Sequence, residues 1–232
     1  MFRDQAIIVT GAAGNVGSAV ARLLAARGAR VAAIDAQAQP LEALMPTLDQ
    51  PDRHLALPQV DLTDPAACDA AIGKIIKTFG HLHGVATTVG GFAMGSLAET
   101  GPAEWERMFR LNVETTWNIY RAAVPALRQA GGGSLVGIGS AAGLRGSGQM
   151  APYAATKSAV MRLTESLADE LRPDNIRVNA VLPGTIDTPQ NRAAMPNADT
   201  SRWVKPTEVA EAILFLLSDA ASGISGALLP VG

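Results

Sequence analysis

Along the chain, short apolar runs alternate with longer stretches whose apolar residues recur every three or four positions. That alternation describes strands buried on both faces, separated by amphipathic helices. Ala6–Thr10 (AIIVT) is the first apolar run. It breaks at a loop containing Gly11, Gly14 and Gly17, and a helix is expected over Ser18–Arg27, ended by Gly28. A second strand, Arg30–Ile34, ends on Asp35. After a weak helical stretch at Leu41–Leu48, a third strand over Leu55–Val60 closes on Asp61. Asp64 as N-cap and Pro65 at the first helical position open a helix that runs to Phe79. Leu82–Val89 reads as the fourth strand, and Pro102 begins a long helical region reaching Gln129, kinked near its end by Pro125. A fifth strand at Leu135–Gly139, a long helix at Pro152–Leu171 and a sixth strand at Ile176–Leu182 follow. A polar loop then extends to Lys205, before a helix over Thr207–Ser218 capped by Thr207 and a last short strand at Ala227–Val231. Seven strands separated by helices imply an α/β architecture: one parallel, doubly wound, seven-stranded sheet with helices on both faces. No linker or repeat divides residues 1–232, so a single domain is expected.

Composition narrows the picture. Hydrophobic residues make up 48% of the chain and charged residues 17%, which suits close helix–sheet packing and argues against disorder. A formal net charge of -2 gives no electrostatic basis for binding nucleic acid or an anionic membrane. No apolar run reaches the roughly 18 residues of a membrane span, and a strand pattern begins almost at Met1, so a cytoplasmic protein is expected. Cys68 is the sole cysteine, so no intrachain disulfide can form, and a half-buried structural thiol is the expected state. His54, His81 and His83 do not have the spacing of metal ligands with other Cys, Asp or Glu residues. Packing or solvent-facing roles are expected for them, and no metal site.

Two stretches carry chemistry. The loop Gly11–Gly17 lies directly between a buried strand and a helix, where a Rossmann sheet receives a dinucleotide pyrophosphate. Its spacing, G-x-x-G-x-x-G, also suits a tight packing turn. Asp35 at the end of the second strand can accept hydrogen bonds from ribose hydroxyls and would repel a 2′-phosphate, favouring NAD over NADP. No Arg or Lys lies in the loop or immediately after Asp35. Asp61 and Leu62 at the next strand end could contact adenine, or Asp61 could serve the approach to the following helix. In the second stretch, Tyr153 and Lys157 are four apart on a helix and therefore share a face. An ammonium beside a phenol favours the phenolate, which would make Tyr153 a proton donor and acceptor near neutral pH. Ser140, at the end of the fifth strand, could hold the oxygen being protonated. It lacks the full G-x-S-x-G context of a hydrolase nucleophile, and no histidine follows it.

Taken together, Thr10–Gly17 (TGAAGNVG), Asp61-Leu62, Asn112, Ser140, Tyr153 with Lys157, Asn179 and Pro183–Thr188 resemble the short-chain dehydrogenase/reductase family across essentially the whole chain. The resemblance implies a catalytic tetrad of Asn112, Ser140, Tyr153 and Lys157. Tyr153 would be the general acid/base, Ser140 would bind the substrate oxygen, and Lys157 would hold the nicotinamide ribose and lower the Tyr153 pKa. Asn112 would support a water linking Lys157 to solvent. It also implies dinucleotide contacts from Thr10, Gly11, Gly14, Asn15, Val16, Gly17, Asp35, Asp61, Leu62, Gly90, Pro183, Gly184, Ile186 and Thr188. The implied activity is hydride transfer between NAD and a small carbonyl or alcohol substrate, in a homodimer or homotetramer.

Two departures stand out. The family's usual glycine at position 15 is Asn15, with glycine one place earlier at Gly14, and the usual Asn-Asn-Ala-Gly is Thr87-Thr88-Val89-Gly90. These features, with Gly91-Phe92 and the segment from Asp187 to Trp203, are similar to dihydropteridine reductases, which leaves quinonoid dihydropterin as an alternative substrate. A non-catalytic NAD-binding protein is a further alternative, against which the complete tetrad argues. Phe92, Met94, Leu144, Met150, Met195 and Trp203 fall on loops after strands and could line a substrate pocket or simply cover the core. Arg192 could meet an anionic substrate or stay solvated. Residues 184–205 lack an apolar period and are expected to form a lid over the crevice.

Overall fold

In β1 (Ala6–Thr10), alternate side chains serve opposite layers of the molecule: Ile7 and Val9 enter one core, Ala6 and Ile8 the other. This parity is why the strand is apolar at every position. The computed structural model describes residues 1–232 and contains seven strands: β1, β2 (Arg30–Asp35), β3 (Leu55–Pro58), β4 (Gly84–Thr87), β5 (Gly133–Ile138), β6 (Ile176–Pro183) and β7 (Leu228–Val231). They form one parallel sheet in the order β3-β2-β1-β4-β5-β6-β7. Chain direction across the sheet reverses between β1 and β4, whose carboxyl ends meet at Thr10 and Thr87. A crevice opens at such a switch point in every doubly wound sheet.

The helices are α1 (Asn15–Ala26), α2 (Ala38–Leu44), α3 (Pro65–Phe79), α4 (Pro102–Phe109), α5 (Thr115–Gln129), α6 (Ala151–Glu170), α7 (Pro189–Ala194) and α8 (Pro206–Leu217). On one face Val20 and Leu24 of α1, Leu41 of α2, and Ile213 and Leu214 of α8 share a core. On the other, Ile72 and Ile75 of α3, Ile119 and Leu127 of α5, and Leu167 of α6 share the second. Asp64 caps α3 as expected, its carboxylate accepting from the Ala66 N–H at 2.9 Å. His83 and His54 have packing roles: their Nδ1 atoms accept the backbone N–H groups of Ala6 and Val31 at 3.0 and 3.1 Å. Cys68 is fully buried rather than half-buried, and burial pushes its thiol up to about 11, so it is an inert core group. No helix is long and apolar enough to cross a membrane.

Several local expectations are corrected. The region Pro102–Gln129 is divided by a π turn at Arg110–Glu114, while Pro125 is accommodated inside α5. α1 begins at Asn15, earlier than expected, because Gly14 already serves as its N-cap. α8 begins at Pro206, so Thr207 is not its cap; instead the Glu208 carboxylate accepts from the Lys205 N–H at 2.8 Å. Within residues 184–205 a short helix, α7, is present. Thr188 caps it, its hydroxyl accepting from the Asn191 N–H at 3.1 Å.

Candidate active site

The glycine loop is shaped by two requirements of the sheet end. Gly11 has φ +62, a left-handed conformation that disfavours other residues. Gly17 is pressed so closely on the preceding loop that an added Cβ would lie 2.0 Å from the Gly11 carbonyl oxygen and 2.7 Å from Thr88 Oγ1. The opposite strand end holds this loop: Thr88 Oγ1 donates to the Thr10 carbonyl at 2.7 Å. Thr88 thus does structural work that its departure from the family pattern did not reveal. The expected result for Gly17→Ala is a loss of roughly 2–3 kcal/mol of stability, together with weakened dinucleotide affinity. Thermal melting with and without NADH checks both, and an unchanged profile would remove the close approach as a constraint.

The N-terminus of α1 fits an anion. The N–H groups of Asn15, Val16 and Gly17 have no backbone acceptor, Gly14 offers no capping side chain, and no acidic residue occupies the first turn. Three free donors and the positive end of a 12-residue helix converge there. Asp35 lies alongside: its Oδ2 accepts from the Ala13 N–H and its Oδ1 from the Gln37 N–H, both at 3.0 Å. Its remaining lone pairs can accept ribose hydroxyls. Asp61 lies between β3 and α3. Its Oδ1 accepts from both the N–H and the hydroxyl of Thr63 at 2.8 Å, which holds its carboxyl below the usual range. Leu62 is buried, and its carbonyl accepts from Asn118 Nδ2 at 3.0 Å.

Ser140, Tyr153, Lys157 and Asn112 converge beyond the carboxyl ends of β4 and β5. Ser140 follows β5 and caps the turn after it, its hydroxyl accepting from the Ala142 N–H at 3.2 Å. Lys157 is buried, and its Nζ donates to the Ile138 carbonyl at 2.9 Å. Burial pushes its pKa down to about 8. It lies 5.9 Å from the centroid of the Tyr153 ring. Burial holds the Tyr153 phenol above its ordinary value, with only partial relief from the Ser140 hydroxyl beside it. The Tyr153 pKa is therefore raised in the free protein, contrary to the expectation that Lys157 depresses it.

Asn112 lies in the π turn and is almost wholly buried. Its Oδ1 accepts from the Gly91 N–H at 2.8 Å, while its Nδ2 donates to the Gly91 carbonyl and to Thr156 Oγ1, both at 3.1 Å. Thr156 in turn donates to the Tyr153 carbonyl at 2.8 Å. This clamp ties the Gly90-Gly91 loop, the π turn and α6 together. A Cβ at Gly90 would lie 2.9 Å from Asn112 Oδ1 and 3.3 Å from Lys157 Nζ. Thr156 escaped the sequence reading although it adjoins Lys157. Its sole signal is a buried hydroxyl on the inner face of the helix.

Pro183 ends β6, Gly184 is exposed, and Ile186 pairs with Val204, which fastens the two ends of the 184–205 segment to each other. Thr188 is buried, and its hydroxyl, though used as an acceptor, keeps its proton free to donate. Arg192 is committed to Asp187 through a two-pronged ion pair. Phe92 stands edge-on to Tyr153 with ring centroids 4.9 Å apart. Next to the start of α6, Leu97, Pro102, Trp105, Ala151 and Pro152 line a groove of about 370 Å³.

A family model described as Enoyl-(Acyl carrier protein) reductase matches residues 11–232. Trans-4-hydroxycyclohexanecarboxylate dehydrogenase from Sinomonas cyclohexanicum is 34% identical over 237 residues, covering 98% of this chain and 91% of the relative. Among solved structures, a short-chain type dehydrogenase/reductase from Mycobacterium ulcerans superposes with a TM-score of 0.91 at 31% identity, covering 99% of this chain and 89% of that one. Levodione reductase superposes with a TM-score of 0.92 at 28% identity, covering 99% and 96%. The chain belongs to the short-chain dehydrogenase/reductase family of oxidoreductases.

Proposed function

We propose that this enzyme transfers hydride between NAD and a small cyclic ketone or secondary alcohol, with Tyr153 as the general acid/base. The observation that carries the reading is the convergence of Tyr153, Ser140 and buried Lys157 beyond the carboxyl ends of β4 and β5, together with the uncapped N-terminus of α1. With its pyrophosphate held by the free N–H groups of α1, a nicotinamide dinucleotide would supply or accept the hydride. The chain's own residues do the rest. Ser140 donates to the substrate oxygen, Tyr153 moves a proton to or from it, and Lys157 holds positive charge behind the phenol. Asn112 contributes by fixing the loop and helix around Lys157, since its side-chain amide is bonded at both ends. Val16, Gly17, Pro183 and Thr188 would line the dinucleotide's path.

The substrate class rests on two supports. Phe92, Met94, Leu144 and Met195 are exposed apolar side chains on the loops about the site, so an apolar substrate body suits it better than a strongly polar one. The relatives named for hydroxycyclohexanecarboxylate and levodione give alicyclic alcohols and ketones as the class to test first. The test is NADH oxidation over a panel of cyclic ketones, open-chain ketones and quinonoid dihydropterin. Turnover of the cyclic ketones is the expected result, and activity with the pterin alone would favour the second reading. That reading draws on Phe92, whose ring beside Tyr153 offers an aromatic face to a planar pterin.

Asp35 supports NAD over NADP. Its carboxylate is held in place by two backbone donors, and neither the glycine loop nor the residues immediately after Asp35 include an Arg or Lys to accept a 2′-phosphate. A preference in kcat/KM for NADH over NADPH of at least about tenfold is expected, from charge repulsion at close range. In Asp35→Ser that preference shrinks. Comparable use of both cofactors by the unaltered enzyme would refute the assignment. A homo-oligomer is also inferred, since Trp117 on α5 is a large apolar side chain left exposed. A monomeric mass by light scattering at micromolar concentration would refute it.

A further inference from the structure

The departure of the glycine loop from its family pattern has a counterpart on the far side of the crevice. Asn15, where glycine is usual, is the first residue of α1, and its Nδ2 donates to Gln190 Oε1 on α7 at 3.0 Å. These two residues lie 175 positions apart and belong to opposite walls of the cleft. Gln190 is not loosely held. Thr188 caps α7, Asn191 Nδ2 donates to the Ile186 carbonyl at 2.8 Å, and Arg192 grips Asp187. The segment's two ends are joined where the Asp187 N–H donates to the Val204 carbonyl at 2.8 Å and the Val204 N–H to the Thr185 carbonyl at 2.9 Å. Gln190 is therefore presented from a short, fastened helix to the side chain of Asn15, the residue whose backbone N–H begins the run of free donors on α1.

We propose that Asn15 and Gln190 form a clasp over the dinucleotide pyrophosphate, making Gln190 a cofactor-retaining residue. The proposal rests on the dinucleotide reading given above. A glycine at position 15 has no side chain with which to make this bond. In water an exposed amide pair contributes little, because both partners are as well served by solvent. With a pyrophosphate beneath and water displaced, the bond must break before the ligand leaves, so its effect falls on the dissociation rate. The clasp closes α7 over the pyrophosphate at the cost of one weak bond, which leaves opening easy enough for turnover.

The experiment is stopped-flow release of NADH, displaced by excess NAD, from the unaltered enzyme, Asn15→Ala, Gln190→Ala and the double variant. Each single change is expected to speed release by about threefold to tenfold, the scale of one net hydrogen bond. The double variant should be no faster than the faster single one, because either change breaks the same bond. Unchanged release in both single variants, or effects that multiply in the double variant, would overturn the clasp while leaving the dinucleotide reading intact. An unaltered enzyme that binds no NADH would overturn the dinucleotide reading, and the clasp with it. Both positions are exposed, so the variants are expected to fold, and melting temperatures without ligand confirm it.

Discussion

Replacing Tyr153 by Phe is expected to lower turnover by about 10²-fold or more while leaving NADH affinity intact. The change removes one hydroxyl and leaves the ring, so Phe92 keeps its edge-on neighbour and the first turn of α6 is undisturbed. A loss of 10² corresponds to about 2.7 kcal/mol of barrier, the scale of a positioned proton donor. Direction matters in the pH dependence. Burial holds the phenol above its ordinary value in the free protein, so it is protonated at neutral pH and ready to donate during ketone reduction. Alcohol oxidation needs the ionised phenol, so its rate should climb as pH rises, while reduction stays nearly level below about pH 8. Steady-state rates in both directions for both proteins check this. A Phe variant that retains its rate, or the same pH profile, would remove Tyr153 from the chemistry.

The second large effect is expected at Lys157, where activity and stability should move in opposite directions. Its ammonium is buried with a single protein acceptor, the Ile138 carbonyl, and its pKa falls to about 8 from an ordinary 10.5. Between those two values the unfolded chain binds more protons than the folded one, so stability increases as pH rises through that window. Below about pH 8 the full cost of burying the charge remains, roughly 3 kcal/mol from the size of the shift. Lys157→Met removes that cost and leaves one carbonyl unpaired, which returns about 1 kcal/mol. The variant should therefore melt a few degrees higher at neutral pH, and its advantage should shrink as pH rises from 8 toward 10. Its turnover should fall by at least about 10²-fold. A variant that melts lower at pH 7 would mean that the buried ammonium is not a net cost to the fold. Such a trade is common at sites held ready for chemistry.

What was legible in the chain depended on whether one local rule or a distant partner decided the outcome. β1 was legible because AIIVT has no polar face, and the start of α3 because Asp64-Pro65 carries both the capping oxygen and the preset φ. Tyr153, Lys157, Asn112 and Ser140 were legible by their order along the chain, and the fold brings them to one sheet end. The π turn at Arg110–Glu114 was not legible, because nothing in RLNVE departs from a helix. It forms where Asn112 must reach Gly91 and Thr156 at once, a demand visible only once the loop and α6 are in place. α7 was missed because a six-residue helix has too few turns to show an apolar period, although Thr188-Pro189 announces its start. The expected pKa shift of Tyr153 failed for a physical reason. Sequence spacing places a cation near the phenol but says nothing of the burial that outweighs it.

The strand order has a kinetic consequence. β1 is central, yet one of its edges waits for β4, so Ile7 cannot meet Gly84 until some 80 further residues have been made. Every ladder in the sheet is parallel, which means each pairing closes a long loop before it gains any contact. A chain of this topology folds slowly for its size and keeps an apolar strand edge open during synthesis. The crevice needs both the Gly11–Gly17 loop and residues 184–205, which are made far apart in time. A newly made chain is therefore expected to pair β1 with β4 before it gains full affinity for dinucleotide.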